Sequence, residues 1–187
     1  MNSHKLSLKF FATTDVPADA GVPIFHRWIQ QKAFPNHMLI DVADYAHVPE
    51  GPGTLLVSHE ANIHIDREAN RPGVLYVRKQ PAGESFEQNL RATLRGTLQA
   101  ASMLEADEAL KGAKFDTKRA QFRIHDRLVA PNTPETFAAV KGDLERALTS
   151  VYGGPVTLTY KPDAERLFQV DVEAASAPDV KTLLSRV

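Results

Sequence analysis

Cysteine is absent from the 187 residues. That excludes disulfide frameworks, thiolate metal sites and cysteine nucleophiles together, and it suits a reducing compartment. Charge of one sign is missing as well. The 22 lysines and arginines face 23 aspartates and glutamates, so the chain as a whole offers no attraction to nucleic acid or an anionic membrane surface. No stretch approaches the ~18 uninterrupted apolar residues of a spanning helix. The opening MNSHKLSLKFFATTDVP lacks the pattern of a secretory signal, because its apolar run is short and broken by Lys9. A soluble cytoplasmic protein is therefore expected, with no membrane or nucleic-acid partner. No G-x-S-x-G, G-x-G-x-x-G, P-loop or kinase signature occurs either.

What is present is an ordinary globular composition, 43% hydrophobic and 24% charged, in a chain long enough for one ample core. LSLKFFA alternates, with Leu6, Leu8 and Phe10 on one side and Ser7 and Lys9 on the other, as a strand does. VPIFHRWIQQ reads as a short helix with Pro23 near its start and Ile24, Phe25, Trp28 and Ile29 as its buried stripe. HMLIDVADYAHV and TLLVSHEANIHI read as two strands around the turn PEGPG, and VLYVRK as a further short strand. The period then changes. Phe86, Leu90, Leu94, Leu98 and Ala101 predict a long amphipathic helix over 85–105, with Ser85 and Gln88 spaced for a capping box.

The remainder repeats the theme. Residues 122–129 alternate as a strand, and Thr133 with Pro134 opens a helix that Gly153-Gly154 ends. PVTLTY and RLFQVDV form a hairpin, and a short helix closes the sequence. KGAKFDTKRAQFR carries five basic residues against Asp116 alone, and reads as a solvated loop leading into a strand edge. The order implies α+β, with two related β-α-β-β units at about 5–105 and 115–187 of one compact domain. A mainly antiparallel sheet with helices packed on one side is expected.

The hairpin over 39–66 holds the candidate chemistry. With its turn near Gly51, Tyr45 would face Val57, Ala43 would face His59, and Asp41 would lie diagonal to His59. One face would then gather Asp41, Tyr45, His47 and His59 among apolar residues, and the other Glu60, Asn62 and His64. Three readings stay open: a sealed polar network, a ligand pocket, or an interface with a second copy. In the network reading the chain is an assembly or interaction protein, expected to be a homodimer. In the pocket reading it binds a small molecule or performs acid–base or metal-assisted chemistry. An aspartate-oriented histidine would be the base and Tyr45 an oxyanion donor, with Glu60 or Arg78 assisting. His64 and Asp66 share a strand face and are weak metal-ligand candidates, for which a solvated strand face is the competing reading.

Overall fold

LSLKFFA forms β1 (Leu6–Ala12), and its alternation sorts two environments. Leu6, Leu8 and Phe10 are sealed in the main core, while Ser7 and Lys9 are buried on the opposite face. The computed structural model describes residues 3–17, 19–110 and 112–187. Among them, eight strands form one antiparallel sheet in the order β2-β3-β4-β5-β1-β6-β8-β7. These strands are β2 (Leu39–Tyr45), β3 (Gly53–Ser58), β4 (Ala61–Asp66), β5 (Gly73–Arg78), β6 (Phe115–Ile124), β7 (Val156–Tyr160) and β8 (Phe168–Ala174), with β1 near the middle. The fold is α+β.

All the helices lie on the face that carries Leu8 and Phe10. α1 (Gly21–Gln31) packs on β2 and β3 with Ile24, Phe25 and Trp28 inward. α2 (Phe86–Glu105) crosses β1 and β5, as the four-residue spacing of its leucines predicts. Its first turn is closed reciprocally. Ser85 Oγ accepts from the Gln88 N–H at 3.1 Å, and Gln88 Oε1 accepts from the Ser85 N–H at 3.0 Å. α3 (Pro134–Tyr152) has Thr133 as its cap and ends at Gly153, whose φ of 70° suits glycine. It packs on β7, and α4 (Val180–Leu184) packs on α2. No described helix is long and apolar enough to cross a membrane.

Several expectations need correction. TLLVSHEANIHI is two strands rather than one, because the chain turns back at His59-Glu60. Ser58 Oγ donates to the Ala61 carbonyl at 2.5 Å and accepts from the Ala61 N–H at 3.1 Å, which closes that turn. A two-residue turn inverts the parity of alternation, so Leu56, not Val57, shares the core face with Ile63. The β2–β3 pairing also differs. Tyr45 faces Gly53 and Asp41 faces Val57, which centres the connection near Pro49 rather than Gly51. That shift is four residues, so the faces of Asp41 and Tyr45 survive it, but His47 falls in the connection.

The basic stretch read as a loop is largely β6, ten residues long and paired on both sides. Lys118 and Arg119 stay exposed there beside Glu173 and Asp116, so their charge never opposes strand formation. The strand expected at 122–129 ends at Ile124 instead. The two-unit repeat is not shown: five strands belong to the first half and three to the second.

Candidate functional site

The sequence candidates do not converge. Asp41 and His47 are exposed, Tyr45 stacks on His47 with ring centroids 6.5 Å apart, and His59 stands exposed in the β3–β4 turn. Among the described residues no side-chain hydrogen bond joins any two of these four. Asp41 accepts only from the adjacent Val42 N–H at 2.8 Å. The pairing imagined between Asp41 and His59 depended on a straight strand through His59, and the turn removes it.

His64 and Asp66 do share a face, the one without helices, and they are buried rather than solvated. Across this face one row runs Ala43, Leu55, His64, Leu75, Lys9, Gln121, Asp171, Thr159. Lys9 reaches diagonally across β5 to an ion pair with Asp66. Gly73 leaves room for that crossing, since a Cβ there would lie 2.2 Å from the Phe10 carbonyl oxygen and 3.1 Å from Lys9 Cε. Burial lowers the Lys9 ammonium pKa and raises that of Asp66, and the attraction between them works against both shifts.

Around this pair, Arg123 donates to Glu68 at 2.5 Å and to Gln169 at 2.9 Å, and His125 Nε2 lies 2.8 Å from Ser7 Oγ. Burial holds His64 and His125 down at about 4 each, so both are neutral at pH 7. The Pro52 carbonyl favours a charged His64, yet neither of its ring nitrogens closes a hydrogen bond. Lys9 occupies Asp66, and no group of three His, Asp or Glu able to hold a metal occurs among the described residues. Among the described residues this face is a buried polar network centred on the Lys9–Asp66 pair.

A different place has the geometry of a site. A cavity of about 350 Å³ opens between the α1–β2 connection, the β3–β4 turn, the end of β5 and α2. Phe34, Pro35, Pro81, Ala82 and Ala92 give it apolar walls. Its polar lining comes chiefly from His37, Glu60, Arg78 and Arg95. Arg95 is engaged with the Val187 carbonyl.

Beneath the cavity lies Tyr76, with no solvent exposure. Its hydroxyl meets His37 Nε2 at 2.7 Å and accepts from Arg78 Nη2 at 3.0 Å. With Arg78 donating, the tyrosine proton is free to go to Nε2, which leaves the His37 proton on Nδ1. Burial lowers the His37 pKa, and the Arg78 charge adds to that while Glu60 opposes it. Burial raises the Tyr76 phenol to about 12, with Arg78 pulling the other way. Both groups are therefore neutral at pH 7. α2 can lie against the Tyr76 ring only because residue 96 is glycine, as a Cβ there would come within 2.4 Å of the ring.

Arg78 is the anomaly in this arrangement. Only 7% of it is exposed, and a buried guanidinium ordinarily faces a carboxylate. Here it donates to the Gln80 carbonyl at 3.2 Å and to Tyr76, its Nε has no partner, and no carboxylate pairs with it among the described residues. Glu60 lines the same cavity without bridging to it. Partial burial pushes the Glu60 carboxyl up, but the Met38 N–H, donating at 2.7 Å, and its own backbone N–H outweigh that and hold it below the usual range. It is an anion at neutral pH.

The sequence carried traces of this site. Arg78 is the one charge in the apolar strand VLYVR, and Gly96 interrupts a long helix where alanine would be about 1 kcal/mol better. His37 sits in a connection whose path no periodicity describes. Comparison of the chain with models of known protein families, with curated proteins and with solved structures gives no match.

Proposed function

We propose that this α+β protein binds a small anionic molecule in the cavity over Tyr76, with the Arg78 guanidinium as the anchoring cation. The observation that carries the reading is the buried, uncompensated charge of Arg78. Removing a guanidinium from water costs several kcal/mol unless an anion and hydrogen bonds offset it. The offset here is partial, with Nε buried and unpartnered, and Arg78 lines a cavity of ligand size with apolar walls. A carboxylate is the simplest partner, since guanidinium and carboxylate match in a bidentate fork.

The test is a thermal-shift and calorimetric screen of carboxylates and phosphates against the wild type and Arg78→Met. Anions should raise the wild-type midpoint by the linkage expected for a ligand that binds only the folded state. They should leave Arg78→Met unmoved. With its uncompensated charge gone, that variant should be at least as stable as wild type without ligand. A markedly less stable Arg78→Met, with no anion shifting either protein, would show that the guanidinium is purely structural.

A second reading has its own observation. β2 ends the sheet with a free edge, and Met38 and Ile40 beside it are 66% and 58% exposed. No lysine, arginine or proline occurs from Met38 to Val48 to guard that edge. We propose pairing of this edge with that of a second copy, which is compatible with ligand binding.

A further inference from the structure

We propose that the ligand of this cavity is a zwitterion, an amine-bearing carboxylate of the amino-acid class, held by Arg78 through its carboxylate and by Glu60 through its ammonium group. The inference rests on the anion-binding reading above and deepens it. Arg78 and Glu60 carry opposite full charges on one cavity of about 350 Å³, which the exposed Arg95 of α2 also lines, and neither Arg78 nor Glu60 is neutralised by the other or by an ion pair elsewhere among the described residues.

Their supports differ in kind. Arg78 projects from the end of β5, braced by Tyr76 and the Gln80 carbonyl. Glu60 stands in the two-residue turn that Ser58 closes, and the Met38 N–H holds one of its carboxylate oxygens. The two backbones are tied together, since the Glu60 carbonyl accepts from the Lys79 N–H at 2.9 Å and the Gln80 N–H at 3.2 Å, while both side chains line the cavity. A ligand bearing one charge would leave the opposite protein charge unanswered. A ligand bearing both answers each.

The rest of the lining fits the same class. His37 and Tyr76 are neutral and bonded to each other, so they compete with neither charge. Phe34, Pro35, Pro81 and Ala92 supply apolar surface for a side chain. Discrimination follows from unpaired groups: a site built around two charges disfavours an analogue that lacks one of them.

The experiment uses the full chain and matched probes. The twenty standard amino acids, 4-aminobutyrate and 6-aminohexanoate are screened by thermal shift, with affinities then measured by calorimetry. Each binder is compared with its deaminated and decarboxylated analogues, for example L-leucine with 4-methylpentanoate and 3-methylbutylamine. The zwitterion should bind about tenfold tighter than the carboxylate alone, and the amine alone should not bind. Glu60→Gln should remove the advantage of the amino group while leaving affinity for the plain carboxylate unchanged. Arg78→Met should abolish both.

Equal affinity for zwitterion and carboxylate, or an amino-group advantage that persists in Glu60→Gln, overturns the zwitterion proposal and leaves anion binding standing. If no probe binds at about 10 mM, where even weak ligands register, and phosphates and other carboxylates also fail, both readings fall. Circular dichroism of Glu60→Gln checks that its turn is still formed.

Discussion

The glycine at position 96 permits a substitution whose sign ordinary helix rules get wrong. Gly96→Ala within α2 should gain about 1 kcal/mol from helix propensity alone. The new methyl carbon, however, would sit 2.4 Å from Cε2 and 2.6 Å from Cζ of Tyr76. That ring is not a flexible tip. It has no exposure, it lies beside Leu8 and Ile63 in the sheet, and its hydroxyl is tied to His37 and Arg78. Overpacking against such a ring costs about 1–3 kcal/mol, so the propensity gain should be cancelled and the net effect should be a loss of up to roughly 2 kcal/mol.

Gly142 in α3 provides the control, because an added Cβ there meets nothing within 4 Å. Gly142→Ala should therefore stabilise by about 0.5–1 kcal/mol. Urea unfolding of the two variants beside wild type measures both, with an unchanged slope confirming that stability alone has moved. A Gly96→Ala midpoint at or above wild type would refute the packing argument, and with it the claim that α2 fixes Tyr76 beneath the cavity.

Acid should weaken the fold well before its carboxylates titrate. His64 and His125 sit at about 4 in the native protein against an ordinary 6.5. The unfolded chain thus binds protons that the native one refuses: their contribution is complete above about pH 6.5 and is lost as pH falls towards 4. At 1.36 kcal/mol per pKa unit the loss is about 3 kcal/mol per histidine. His37 shifts the same way, whereas the raised pKa of Asp66 offsets part of the loss. Urea midpoints at pH 7.5, 6 and 5 should fall steadily, and a flat profile would contradict the burial of these rings. Light scattering at micromolar concentration tests the β2 edge: wild type should exceed the 20.6 kDa monomer, and Ile40→Lys should return it to monomer. A monomeric wild type rules the pairing out.

The elements legible in the sequence were those governed by local rules. The α2 helix needed only four-residue spacing and a capping pair, and α3 only a Thr-Pro start and a glycine stop. The β3–β4 turn was not legible. Its closing bonds come from a serine hydroxyl, while His59 and Glu60 lack the Asn-Gly chemistry that marks most two-residue turns. Missing that turn hid Glu60 from the site and put His59 into it. Arg78 and Glu60 were named only as possible helpers of other residues, because what matters about Arg78 is a missing partner. That is a fact of three-dimensional surroundings, which no residue pattern encodes. Tyr76 and His37 meet across 39 positions of the chain, beyond the reach of any periodicity.

The polar network on the helix-free face bears on how the sheet finds its alignment. Sliding one antiparallel strand by two residues preserves every inward and outward assignment, so hydrophobic patterning cannot detect such an error. It does displace side chains by about 7 Å. That displacement separates Lys9 from Asp66, partners 57 positions apart, and also Arg123 from Glu68 and His125 from Ser7. A misaligned sheet would strand the buried charges of Lys9 and Asp66 at about 3–5 kcal/mol, and would break the other two contacts at a smaller cost. The network therefore works as a proofreading code for strand alignment, written in charge on the face where apolar residues would accept either answer.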